Sequence, residues 1–176
     1  MLQAFIFNLL FVALTLPAYS KWVKADVWEG TVIRISDGDT LWVRGKASPG
    51  PRKVRIDGID APELCQTYGK TAKAALQHKI LHKTITVDTR SKDDYGRDIA
   101  KINYQQEDIG AWMVRQGHAW SYHRRYNDGM YASQEQVAKR AKRGLFAATT
   151  PASTPQEPRH FRKEHGSCFV AKPIAQ

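Results

Sequence analysis

Cysteine is scarce. Across 176 residues only Cys65 and Cys168 occur, too few and too far apart for a zinc site built from cysteines. The six histidines are scattered and no His-Glu-x-x-His is present, so the ligand set of a zinc hydrolase is missing as well. No arrangement of Ser, Cys and His is visible that would supply a covalent nucleophile. Apolar runs are confined to the start, and after residue 20 nothing is apolar for long enough to cross a bilayer. Acidic residues are outnumbered, 17 against 27 Lys and Arg, which leaves a formal charge of +10 and points to a polyanionic partner. Internal repeats are absent too, and a chain of this length reads as one domain with a real core.

From Leu2 to Leu16 the chain is almost wholly apolar and runs into Pro17-Ala18-Tyr19-Ser20. The small residues at 18 and 20 match the pattern for cleavage after Ser20. Residues 1–20 are therefore expected to be an export signal, with the mature chain starting at Lys21 in a secreted or periplasmic location. No Lys or Arg precedes the run, and a retained N-terminal anchor is the competing reading. In an oxidising compartment Cys65 and Cys168 can close one disulfide that ties the C-terminal tail back to the domain; two unpaired thiols are the alternative.

Val27 to Ile35 is rich in β-branched residues, Ser36-Asp37-Gly38-Asp39 reads as a turn, and Leu41 to Arg44 resumes an extended run. After a second turn over Lys46 to Pro51, Lys53 to Asp57 alternates polar and apolar residues at period two. Beyond Gly69 the period changes, and Ala72, Ala75, Leu76 and Ile80 share one helical face. Thr84 to Thr89 and Ile99 to Ile102 predict two strands paired across the turn Lys92 to Gly96. Two more helices are expected. One runs from Glu107 to Gln116 with a stripe of Ile109, Trp112 and Met113 and stops at Gly117; the other covers Ala132 to Lys142, with Val137 and Ala141 spaced four apart and a basic end that suits the helix dipole. From 147 onward Ala, Thr, Ser and Pro dominate, so 147 to 160 reads as irregular linker and 161 to 176 as a tail anchored by Cys168 alone. The sum is an α+β, mainly β, domain over residues 21–146, a five-stranded closed sheet of OB type with three helices, followed by an irregular extension over 147–176.

Asp37, Asp39 and Asp60 each lie where a strand enters or leaves a turn, and turns of neighbouring strands can converge at one rim of a small barrel. Three carboxylates there suit a hard cation such as calcium, whose ligand shell accepts backbone carbonyls and water. Arg55 alternates with Val54 and Ile56, so it points away from a core that takes those two. Arg97 follows the Tyr95-Gly96 turn and offers a second guanidinium from another hairpin. Each can hold two phosphate oxygens and meet the added charge of a pentacoordinate phosphorus. Glu63 stands three residues beyond Asp60 with Pro62 between them, a stiff placement for a carboxylate that must hold a water in line. Any one of these residues alone is an ordinary turn or surface residue. Together they fit hydrolysis of a phosphodiester.

Asp37-Gly38-Asp39-Thr40, Arg55-Ile56-Asp57-Gly58-Ile59-Asp60-Ala61-Pro62-Glu63, Tyr95-Gly96-Arg97 and Val114-Arg115-Gln116-Gly117 resemble, in order and spacing, the signature of the staphylococcal (micrococcal) nuclease family. The resemblance extends from about Val27 to Phe146. It implies an OB-fold barrel with three helices, calcium dependence, and hydrolysis of DNA and RNA to products with 3′-phosphates. It makes Asp39 and Asp60 direct calcium ligands, joined by the Ala61 backbone carbonyl and by Asp37 through water. It makes Glu63 the general base or water-positioning group and Arg55 and Arg97 the phosphate-binding pair. Tyr95 matches a tyrosine placed against a terminal phosphate, although Asp94 stands where the staphylococcal enzyme commonly has a basic residue. The nucleotide-packing tyrosines fall on His123 and Arg125 in an ungapped match, with Tyr122 and Tyr126 displaced by one; Tyr122 is retained as the candidate substrate contact.

The expected partners are DNA and RNA with little sequence specificity, met by a monomer. Lys139, Arg140, Lys142, Arg143, Arg115, Arg124 and Arg125 supply nonspecific phosphate contacts, and Trp120, Tyr122 and Tyr126 are interleaved with them for stacking on unpaired bases. A catalytically silent nucleic-acid-binding barrel is the rival class. Against it stands the acidic cluster beside Arg55, Glu63 and Arg97, since without a cation those carboxylates repel a phosphate.

Overall fold

The computed structural model describes residues 26–46, 48–123, 127–147, 156–166 and 168. The expected export signal at 1–20, and Arg124, Arg125 and Tyr126, lie outside the described residues. Strand β1 (Asp26–Ile35) leads through the Ser36 to Asp39 turn into β2 (Thr40–Gly45), and β3 (Arg52–Ile56) follows. These three pair antiparallel, Thr31 facing Arg44 and Leu41 facing Val54. Strands β5 (Thr84–Lys92) and β6 (Asp98–Tyr104) form the second hairpin, with β5 antiparallel to β1. The sheet closes where β3 and β6 run parallel, Arg55 opposite Ile99 and Ile56 opposite Ala100. The result is a closed, mixed, five-stranded barrel with flanking helices, the OB-type architecture expected from the sequence.

Period-two alternation fills that barrel. Val32, Leu41, Val43, Val54, Ile56, Val87, Ala100 and Ile102 are fully buried or nearly so, and each large apolar side chain so buried contributes about 1.5–3 kcal/mol. Helix α1 (Gly69–Ile80) closes one end through Ala72, Leu76 and Ile80, with Ala75 only half-buried. Its first residue has to be glycine, because a Cβ on Gly69 would come within 1.9 Å of the Glu63 carbonyl oxygen.

The helix expected from Glu107 is shorter in the structure. Glu107–Asp108 pairs with the end of β6 as the short strand β7, and α2 runs Ile109–Arg115. The Asp108 carboxylate accepts from the Ala111 N–H at 3.0 Å, the bond of an N-cap. Gly117 follows that helix at φ 73°, as expected. Helix α3 (Ala132–Arg140) is present, but its inward residue is Ala138; Val137 is 45% exposed and Ala141 is exposed. A short 3-10 turn spans Gly144–Ala147.

Two further pieces had no counterpart in the sequence reading. Residues Ile59–Asp60 (β4) pair with Trp120–Ser121 (β8) in a two-stranded sheet, Asp60 opposite Trp120. Part of the region read as irregular forms helix α4 (Pro158–His165), so the domain's three helices are joined by a fourth. Cys168, just beyond it, is disulfide-bonded to Cys65 across 103 residues of chain.

Candidate active site

The rim where β1–β2, β3–β4 and β5–β6 turn is where the sequence-predicted residues gather. Asp39 starts from the first turn: its N–H is held by Asp37 Oδ1 at 3.0 Å, and its Oδ1 accepts from the Thr40 hydroxyl at 2.9 Å. Its other oxygen, Oδ2, accepts from the Ala61 N–H at 3.1 Å and pairs with Arg55 Nη1 at 2.8 Å. Gly38 permits this contact, because a Cβ there would come within 2.6 Å of Ala61 Cβ and 2.9 Å of Ala72 Cβ. Arg55 reaches the rim from β3 and also gives Nη2 to Asp60 Oδ1 and to the Ile59 carbonyl, each at 3.2 Å. One guanidinium thus bridges the two aspartates that the resemblance assigns to a cation.

Glu63 opens a tight turn, its carbonyl accepting from the Gln66 N–H at 2.9 Å while its own N–H is held by the Gln66 side-chain oxygen at 3.1 Å. Arg97 faces the same cleft from the β5–β6 hairpin, its guanidinium held by Asp93 Oδ2 at 2.7 Å rather than by the Asp39–Asp60 pair. Tyr95 stands at the lip, 85% exposed, with the Arg97 guanidinium 5.3 Å from its ring centroid. A cleft of about 530 Å³ is lined by Asp37, Asp39, Arg55, Asp60, Ala61, Glu63, Tyr95 and Arg97. Tyr122 is not among its walls. Tyr122 is 41% exposed and borders a small crevice with Glu157, Pro158 and Arg159 that shares Asp60 with the cleft, while its N–H donates to the Gly58 carbonyl at 2.9 Å.

Three lining or supporting residues were not read from the sequence. Lys53 lines the cleft from β3. Asp93 fixes Arg97 by accepting from the Tyr95 N–H at 3.0 Å and the Arg97 N–H at 2.9 Å besides its guanidinium. Arg162, on α4, gives Nη1 to Glu63 Oε1 at 2.8 Å and Nη2 to Asp60 Oδ2 at 3.1 Å. The sequence signals for α4 were Pro158 at the first helical position, Arg162, Lys163 and His165 in the last turn, and Gly166 after it.

The electrostatics follow from crowding. Burial and then the Asp39 charge push the Asp37 carboxyl up to about 7. Burial, then Asp39, raises Asp60 as well, opposed by Arg162 and Arg55. Asp39 is the main cause that holds Arg55 above its ordinary value, against burial. Burial pulls the Arg162 guanidinium down, and its bonds to Glu63 and Asp60 outweigh that and leave it raised.

Among the described residues no three His, Cys, Asp or Glu side chains form a ready metal cluster; Arg55 and Arg162 take the oxygens of Asp39 and Asp60. The donors on offer are nonetheless all oxygen, and burial together with the Asp39 charge makes ionising Asp37 costly, a chemistry that fits a hard divalent cation.

The family model described as "Staphylococcal nuclease homologue" matches residues 53–148. This chain belongs to that family. It is 35% identical over 133 residues to an "Uncharacterized endonuclease" of Haemophilus influenzae, covering 76% of this chain and 72% of that protein. An "Uncharacterized endonuclease" of Escherichia coli O157:H7 is 33% identical over 129 residues, 72% of this chain and 82% of the other. A plant relative from Oryza sativa subsp. japonica, "Probable staphylococcal-like nuclease CAN1", is 34% identical over 112 residues, 64% of this chain and 33% of its own length. As a staphylococcal nuclease homologue the chain is a nuclease-type hydrolase acting on ester bonds, and its substrates are nucleic acids. The binding-only reading is thereby set aside.

Proposed function

We propose that this member of the family is an extracytoplasmic, calcium-dependent, sugar-nonspecific nuclease. It hydrolyses phosphodiester bonds of DNA and RNA by in-line attack of water and leaves 3′-phosphate ends. The observation that carries the proposal is the convergence of Asp39, Asp60, Glu63, Arg55 and Arg97 on one cleft from separate turns. In it Glu63 orients the attacking water and accepts its proton, and its tight turn limits its freedom to wander. Arg55 and Arg97 take the nonbridging oxygens and neutralise charge as it develops at phosphorus. The 5′-oxygen departs. Asp39, Asp60 and the Ala61 carbonyl would hold calcium, with Asp37 acting through water. When bound, that ion supplies positive charge at the phosphate and lowers the cost of forming hydroxide. Tyr95 offers its ring and hydroxyl at the cleft lip, and Tyr122 is the candidate contact for substrate beyond it. The protein acts as a monomer after loss of residues 1–20.

Digestion of a plasmid and of a structured RNA by the oxidised protein, in calcium, magnesium or chelator, tests this directly. Cutting of both is expected in calcium and none in chelator. Glu63→Gln and Arg55→Ala should each lower kcat by about 10²- to 10⁴-fold with folding retained. Undiminished cutting in chelator would overturn the metal role, and an active Glu63→Gln the role of that carboxylate.

A further inference from the structure

Helix α4 is fastened on both sides to the residues that follow Glu63. Ahead of it the Gln66 side-chain amide donates to the Gln156 carbonyl; behind it Cys168 is bonded to Cys65. Gln66 is 7% exposed, and the oxygen of the same side chain accepts from the Glu63 N–H at 3.1 Å. A single buried amide therefore ties the Glu63 backbone to the extension. Between these fastenings Arg162 enters the cleft, its Nη1 donating to Glu63 Oε1 at 2.8 Å and to Asp60 Oδ1 at 3.4 Å, its Nη2 to Asp60 Oδ2 at 3.1 Å. A planar guanidinium that spans two carboxylates fixes the orientation of both, which an ammonium on a flexible stem does less well.

We propose that Arg162 is a third guanidinium of the active site, a positioning residue that locks Glu63 beside Asp60, and that the Cys65–Cys168 and Gln66–Gln156 links hold it in place. This rests on the nuclease roles given above for Glu63 and Asp60. The extension is then part of the working site rather than a passive tail. It also explains why a short polar helix is secured by a covalent bond so close to the cleft. The opposite behaviour is well defined: a guanidinium that merely stands in for the cation would, once removed, leave the rate intact and tighten cation binding.

The test uses the full oxidised chain as wild type, Arg162→Gln, Arg162→Lys, Glu63→Gln and the charge-matched control Lys163→Gln from the exposed side of α4. Steady-state cleavage of a DNA oligonucleotide is read together with a calorimetric calcium titration and thermal melting. Arg162→Gln should lower kcat by about 10- to 100-fold with KM changed less than about twofold. Arg162→Lys should recover part of the loss and Lys163→Gln should match wild type. Reduction of Cys65–Cys168 in the wild type, assayed below its melting temperature, probes the same claim without a substitution. It should reproduce the loss, and should add little to Arg162→Gln. An undiminished or raised kcat in Arg162→Gln, with tighter calcium binding, overturns the proposal. A wild type that does not cut, or a fully active Glu63→Gln, brings down the underlying reading of the site instead, and the positioning role with it.

Discussion

Asp37 carries an unfavourable charge in the folded protein, and this sets how the molecule responds to pH. Its carboxyl titrates near 7 when folded against 3.8 in the ordinary state, because it is buried and faces Asp39. A raised acid pKa means that the folded state binds the proton more tightly than the unfolded one. Its contribution is thus most favourable below about pH 4 and declines as pH rises through 7. Thermal melting without divalent ions should accordingly show Asp37→Asn stabilised relative to wild type at pH 8, with the gap closing by pH 4 to 5; an equal gap at both would refute the coupling. The same residues show how far sequence alone reaches. Asp39, Arg55, Asp60 and Glu63 were legible because they sit in short, stiff segments whose spacing is itself the signal. Gly38 was read as a turn former, yet its place depends on close approach to Ala61 and Ala72, and no local pattern reveals such a contact. Arg162 was hidden for a related reason, since its partners lie about a hundred positions away in the chain.

Among the elements, the β5–β6 hairpin decides where Arg97 points. Asp93 accepts from two backbone N–H groups of the turn and from the Arg97 side chain, so one carboxylate shapes the loop and aims its guanidinium. The three bonds together hold Asp93 below the usual carboxylate range despite burial. Asp93→Ala should lower kcat/KM by about 10- to 100-fold through misplacement of Arg97, with little change in calcium affinity; a wild-type rate would show that Arg97 finds its position unaided. Strands and helices were readable in proportion to their apolar periodicity. Strands β1, β2, β3, β5 and β6 and helix α1 bury one face against a shared core and announced themselves. Helix α4 buries only Pro158 and is held by ion pairs and a disulfide, so hydrophobic period had nothing to report. Strands β4 and β8 are two residues each, too brief for any period, although their pairing seats Asp60 at the rim.

At the scale of the whole molecule, one covalent link joins the extension to the barrel across 103 residues. In the chain-entropy picture a loop of that size is worth about 4 to 5 kcal/mol of stability. Reduction should lower the melting temperature by about 10 °C, measured with and without reductant at neutral pH; an unchanged value would mean that the extension and barrel stay joined without it. The barrel itself is completed by the parallel seam of β3 and β6, where Arg55 lies opposite Ile99, two residues past Arg97. Partners across that seam are more than forty residues apart, and contacts of such separation form late because their loops cost entropy to close. Until the seam shuts, the two arginines ride on independent strips of chain. On the roles proposed for Arg55 and Arg97, a nascent or half-folded copy has no competent centre, and any nucleic acid it meets on the way to its final shape is left whole.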